Sequence, residues 1–213
     1  ARSYCLHYLS NNAYIPAGTI AQDWLSEEEQ KKRWQDNFDL YHEKIASAVY
    51  ETKGEVLYWQ NNVITAAYHA SCGGKQTASA EEMWGGTAEY LSSVPCPHGE
   101  EKYSGVEHVF KKQEIAQALK RSGMKTIKVI SVTTSGRAAE VKIDDDIYAA
   151  AKIRTALSLS SSIFTLKTKG DEVIITTYGS GHGVGMCQYG ARYYAMKGWD
   201  YKKILAHFYP QTT

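Results

Sequence analysis

The apolar positions of this chain follow two periods. Up to Gly54 they recur at the three-to-four-residue spacing of a helix face. Residues 1–9 have helical composition and are stopped by Asn11-Asn12. Ser26 and Glu29 stand three apart ahead of a charged run. This is a capping-box signature, and it predicts a helix over 27–35. Ile45 and Val49 share one face of a second helix over 41–52, with Gly54 where a C-terminal glycine belongs. Beyond Gly54, extended stretches interleave with helical ones. Strands are predicted over 55–59 and 63–68 around Asn61-Asn62, and a single helical turn over 80–84 before Gly85-Gly86. A short extended piece covers 90–94, and a helix over 111–122 is stopped by Gly123. Strands over 127–133 and 138–143 flank Ser135-Gly136, and a helix covers 147–157. A hairpin over 163–168 and 172–177 turns at Lys169-Gly170-Asp171. Helices over 189–197 and after the cap Asp200 close the chain, the last carrying Ile204, Leu205 and Phe208. Without regular β-α-β alternation, the order predicts an α+β fold. Its helices surround a mostly antiparallel sheet in one compact domain over 1–213, with room for two subdomains.

Composition narrows the function. The net charge is +1, from 24 basic and 23 acidic residues well mixed along the chain, so nothing attracts nucleic acid or an anionic membrane strongly. No run approaches membrane-span length, and no charged-apolar-small leader pattern opens the sequence, so any export signal or anchor is expected outside it. Sixteen tyrosines and five tryptophans supply flat apolar faces with polar tips, surfaces that suit sugars. Their plain alternative is core and ordinary surface in a β-rich domain.

Two segments carry candidate chemistry. The first is Gly181-His182-Gly183-Val184-Gly185-Met186-Cys187-Gln188-Tyr189-Gly190-Ala191, a glycine-rich turn from strand into helix. Glycines let a ligand approach the backbone, and free N–H groups at a helix start can bind substrate oxygens. The competing reading is a tight turn needed for packing. The second is Tyr68-His69-Ala70-Ser71-Cys72-Gly73-Gly74, another small-residue loop after a strand. The four cysteines do not form a secreted staple framework. Cys5 ends a helix, Cys187 sits in the glycine-rich motif, and Cys72 and Cys96 occupy loops that can meet. His69, Cys72, Cys96 and His98 give the pattern H-x2-C…C-x-H, a donor set that suits tetrahedral zinc. A Cys72–Cys96 disulfide and free thiols are the other two readings, and all three stay open.

Residues 181–191, followed by Gly198, Ile204-Leu205 and Tyr209, resemble the signature of the stage II sporulation protein D family. These are peptidoglycan lytic transglycosylases related to amidase-enhancer proteins. Ala1-Arg2-Ser3-Tyr4, Glu51-Thr52-Lys53-Gly54, Ser71-Cys72-Gly73-Gly74, Trp84-Gly85, Tyr90-Leu91-Ser92-Ser93-Val94 and Arg154-Thr155-Ala156-Leu157 match in order along the chain. The family usually has serine where this chain has Cys187. Its catalytic glutamate lies on a helix just before the Arg-Ser/Thr-Tyr match, and this sequence opens at the end of that pattern.

The resemblance implies cleavage of glycan strands to 1,6-anhydro-N-acetylmuramic acid ends during spore engulfment. One carboxyl serves as acid and then as base, which requires a raised pKa. Glu51, Glu55, Glu81, Glu82 and Asp171 offer no reason for such a shift, so the 213 residues alone are expected to be inactive. His182, Gln188 and Tyr189 are the expected catalytic-cleft residues. Arg2, Tyr4, Ser71, Gly73, Gly183 and Gly185 are the expected substrate-binding residues. The loops 71–74 and 181–189 are expected side by side. No cofactor is required by the chemistry, although zinc remains among the readings. The implied partners are peptidoglycan glycan strands, a peptide-removing amidase and a membrane-anchored scaffold. The implied location is extracytoplasmic, between the mother-cell and forespore membranes, with the full-length protein membrane-anchored. The alternatives are a non-enzymatic glycan-binding module or amidase activator of the same fold, and a zinc hydrolase built on His69, Cys72, Cys96 and His98.

Overall fold

The computed structural model describes residues 1–16, 24–99 and 102–213. The fold is α+β, and the chain divides into two compact units. The first comprises residues 1–66 with Thr212 and Thr213. It contains α1 (Arg2–Leu9), α2 (Glu27–Trp34), α3 (Phe38–Glu51) and the short antiparallel pair β1 (Tyr58–Trp59) and β2 (Asn62–Val63). The capping box at the start of α2 forms as expected. Ser26 accepts the Glu29 N–H at 3.2 Å, and the Glu29 carboxylate accepts the Ser26 N–H at 2.7 Å. The strands predicted over 55–59 and 63–68 shrink to two residues each, because the segment pairs only around the Gln60-Asn61 turn, where both residues have positive φ.

The second unit, residues 67–211, holds the main core. Its elements are β3 (Tyr68–His69), α4 (Ala80–Trp84), β4 (Ser104–Lys111), α5 (Lys112–Ala118), β5 (Ile127–Val132), β6 (Ala138–Ile143) and β7 (Asp146–Ala149). They continue with α6 (Ala150–Ala156), β8 (Ile163–Lys169), β9 (Glu172–Tyr178), β10 (Met186–Cys187), α7 (Gln188–Met196) and α8 (Tyr201–Phe208). Two antiparallel three-stranded sheets, in the orders β4-β9-β8 and β5-β6-β7, share a core that includes Val141, Ile143, Ile153, Val173 and Ile175. Along β9 the period of two is plain: Val173, Ile175 and Thr177 point inward, and Glu172, Ile174 and Thr176 do not. Three strands escape the sequence reading, one of them β10 in the stretch read as a glycine-rich turn. β4 alternates Val106, His108 and Phe110 inward, so a histidine and a glycine blur its pattern. β7 occupies the start of the stretch read as a helix over 147–157. The residues predicted extended over 90–94 instead begin in a 3₁₀ turn, Glu89–Leu91. Among the described residues no helix is long and apolar enough to cross a membrane.

Candidate functional site

A short parallel ladder brings the two small-residue loops together. Strand β3 pairs with β10, Tyr68 opposite Met186 and His69 opposite Cys187. Beyond it, Ser71 and Ser180 exchange N–H···O bonds of 3.0 and 2.9 Å. The Ala78 N–H then donates to the Gly183 carbonyl at 2.8 Å. Loops 71–74 and 181–189 therefore lie side by side. Gly183 has φ +86°, and a Cβ there would fall on the Arg137 guanidinium, so only glycine permits this loop to cross the buried arginine.

At one side of the ladder three thiols and an imidazole converge. The ligand atoms of Cys72, Cys96, His98 and Cys187 all lie within 4.8 Å of one another. His98 Nε2 is 3.4 Å from Cys72 Sγ and 3.6 Å from Cys187 Sγ. A tetrahedral zinc with ordinary bond lengths has N···S edges of roughly 3.6 Å, so the spacing fits. The surrounding hydrogen bonds fit as well. Cys187 Sγ accepts the N–H groups of Cys72 and Gly190, each at 3.3 Å, which favours thiolate. His98 Nδ1 donates to the Gly99 carbonyl at 3.2 Å, which turns Nε2 towards the sulfurs. A Cβ on Gly190 would fall on Cys96 Sγ, so glycine is required where helix α7 passes this sulfur. Hydrogen bonding with Cys72 and Cys96 holds the Cys187 thiol far below its usual range. Hydrogen bonds with Cys187 and then Cys72 push His98 up to about 10. None of the four cysteines is in a disulfide.

The ligand set expected from the sequence needs one correction: Cys187, not His69, completes it. His69 Nδ1 faces the Val184 carbonyl at 3.1 Å, and its Nε2 is buried without a hydrogen-bond partner. Burial lowers the His69 pKa, but Cys187 and Cys72 outweigh it and the net shift is upward. His69 is thus a second-rank neighbour of the sulfurs. The expectation that Cys72 and Cys96 alone could meet missed Cys187, because its partners arrive from two other segments of the chain.

The surroundings of His182 are different. His182 stands between two rings, His69 at 5.7 Å and Trp84 at 5.3 Å. Its Nδ1 accepts the Val184 N–H at 3.1 Å. Burial, then the neighbouring His69, lowers its pKa to about 4, so the ring is neutral at physiological pH. Nearby, Arg137 is 1% exposed and donates to Ser135 Oγ at 2.8 Å, while its Nε has no partner. Glu82 accepts the Ser135 N–H at 2.9 Å. Burial pushes the Glu82 carboxyl up, but hydrogen bonds from the Ser135 backbone and the Thr133 and Ser135 hydroxyls, with Arg137 close by, hold it below the usual range.

The remaining expected site residues divide by unit. Ser71 is buried, and its hydroxyl accepts the Gly73 N–H at 3.1 Å. Gly73 packs on Ile163 and Tyr178. Gln188 is exposed at the start of α7. Tyr189 sits between the rings of His98 and Tyr103, at 6.0 and 6.1 Å. Gly183 and Gly185 are buried in the loop backbone. Arg2 and Tyr4 belong to α1 of the first unit. The Arg2 guanidinium donates to the carbonyls of Thr52, Glu55 and Val49 at the end of α3, and Tyr4 stacks on Tyr8. Sequence reasoning overlooked Arg137, whose only local signal is an arginine after a Ser-Gly turn.

No family model matches the chain. Curated relatives do. Stage II sporulation protein D of Bacillus subtilis (strain 168) is 32% identical over the whole chain, which spans 65% of that protein. Stage II sporulation protein D of Bacillus amyloliquefaciens is 34% identical over 98% of the chain and 64% of the relative. The amidase enhancer of Bacillus subtilis (strain 168) is 27% identical over 78% of the chain and 32% of its own length. The chain therefore spans slightly less than two thirds of the sporulation proteins it matches.

Proposed function

This chain belongs to the stage II sporulation protein D family, and from that premise we propose that it cleaves the glycan strands of peptidoglycan to 1,6-anhydro-N-acetylmuramic acid ends during spore engulfment. The observation that carries the proposal is the β3–β10 pairing, which lays both small-residue loops along one site. In this reading Gln188 and Tyr189 contact the sugar, with the backbone of Gly183 and Gly185 behind them and the Ser71–Gly73 turn forming the facing wall.

The reaction needs one carboxyl that protonates the leaving oxygen and then takes the proton of the sugar's 6-hydroxyl. Glu82, held ionised, is unsuited to that task, and His182, held neutral, orients the glycan and donates no proton to it. The resemblance puts the acid on the helix leading into Arg2. The clamp of Arg2 on three carbonyls would fix that helix.

We assign zinc to Cys72, Cys96, His98 and Cys187. Four protein donors leave no position for a reacting water, so the ion would clamp the loops together and not act as a hydrolase metal. A peptide-removing amidase and a membrane-anchored scaffold are the proposed partners, and the space between mother-cell and forespore membranes the proposed location.

Digestion of purified glycan by the full-length protein, followed by mass analysis, tests the reading. Anhydro-muramic ends are expected, and ordinary reducing ends or intact strands would overturn it. The second reading, a glycan-binding amidase activator, draws on the amidase enhancer relative and on the lowered pKa of Glu82. It predicts binding without cleavage.

A further inference from the structure

We infer that Trp84 is the stacking platform for one sugar ring of the glycan, an inference that rests on the glycan reading above. Three rings stand in file: His69, then His182, then Trp84, with successive centroids 5.7 and 5.3 Å apart. The file runs from the interior to the surface, since His69 is 4% exposed and Trp84 52%. A large aromatic left half bare at the end of such a file presents a flat apolar face next to a polar wall. That combination matches the C–H face and hydroxyl edge of a pyranose.

The position is also rigid. Trp84 is the last residue of α4, whose start is capped by Ser79 Oγ accepting the Glu82 N–H at 3.1 Å. The same helix is tied through the Glu82 carboxylate to the Ser135 N–H at 2.9 Å. The residues leading into it are pinned by the bond from Ala78 to Gly183. After Trp84 the chain leaves through Gly85 in the left-handed conformation, and a Cβ built on Gly85 or Gly86 would meet nothing within 4 Å. The backbone that follows Trp84 is therefore uncrowded, and the indole itself is half exposed. Trp199, in the same unit, shows the contrast. Its ring is stacked on Tyr194 at 4.2 Å and covered by Lys203 Nζ at 4.4 Å, so its faces are taken.

The test is calorimetric titration of the full-length protein, as wild type, Trp84→Ala and Trp84→Phe, with glycan strands freed of stem peptides. Loss of the indole should weaken binding by about tenfold or more, while the phenyl ring should keep affinity within about threefold of wild type. Trp199→Phe is the control, expected to leave glycan affinity unchanged. Folded Trp84→Ala that binds like wild type overturns the platform and leaves the glycan reading intact. A wild-type protein that ignores these strands overturns the glycan reading, and this one with it.

Discussion

His98 and His182 are the same residue type and both half-buried, one facing the sulfurs of Cys72 and Cys187 and the other standing between His69 and Trp84, yet they are driven in opposite directions. Thiol neighbours, Cys187 first, push His98 up to about 10. Burial, then His69, pushes His182 down to about 4. The difference comes from what each ring meets: thiols in one case, burial and a second imidazole in the other. The sulfur side concentrates negative charge and suits a cation. The His182 side is kept uncharged and ends in an exposed aromatic, which suits a neutral polar ligand.

The largest effect expected is on the sulfur side. Stripping metal with a strong chelator should remove roughly 4 kcal/mol or more, the coupling of a ligand at about a thousandfold excess over its Kd. That corresponds to a fall in melting temperature of about 10 °C. A melt that does not move would break the comparison at once.

The second effect is on the other side and is read by pH. The folded pKa of His182 is depressed, so the unfolded chain takes up the proton first as pH falls through about 6.5. The associated loss of stability grows until about pH 4 and reaches about 3 kcal/mol. His182→Asn should lack this component. Denaturant unfolding of both proteins at pH 7 and pH 4.5 checks it, and identical pH slopes would contradict the neutral-wall assignment.

Gly190→Ala places a methyl on Cys96 Sγ and should cost about 2 kcal/mol of overpacking and also weaken metal uptake. Gly54→Ala, where nothing lies within 4 Å of the new Cβ, should cost only the strain of its positive φ, about 1 kcal/mol, and leave metal uptake alone. Thermal melts with metal analysis separate the two. An effect as small as that of Gly54→Ala is expected for Glu82→Gln, which keeps the shape but weakens the bond from Ser135. A loss of about 1 kcal/mol and unchanged cleavage chemistry are expected. Abolished cleavage with intact glycan binding would make Glu82 the acid.

The sequence revealed what depends on local pattern. The hairpin over 163–177 was legible because β-branched residues alternate around Lys169-Gly170-Asp171, and the caps at Ser26 and Asp200 because one side chain meets a backbone N–H three residues on. The pairing of the two loops was legible from their shared small-residue character together with the family resemblance that both carry. The fourth sulfur was not. In the sequence Cys187 is one residue of the glycine-rich motif; in the fold it caps α7 by accepting the Gly190 N–H, and its place beside Cys72, Cys96 and His98 comes from the parallel β3–β10 pair joining segments far apart in sequence. Arg137 was missed for the same reason, since its burial beneath Gly183 is a tertiary fact.

On the proposed zinc reading, one ion on Cys72, Cys96, His98 and Cys187 locks the loops together. Native mass spectrometry of protein purified without chelator tests it most directly. The expected mass is that of the chain plus one zinc, with the ion lost in Cys187→Ser. A metal-free mass lighter by two hydrogens, with Cys72 and Cys96 joined in a disulfide, would contradict it.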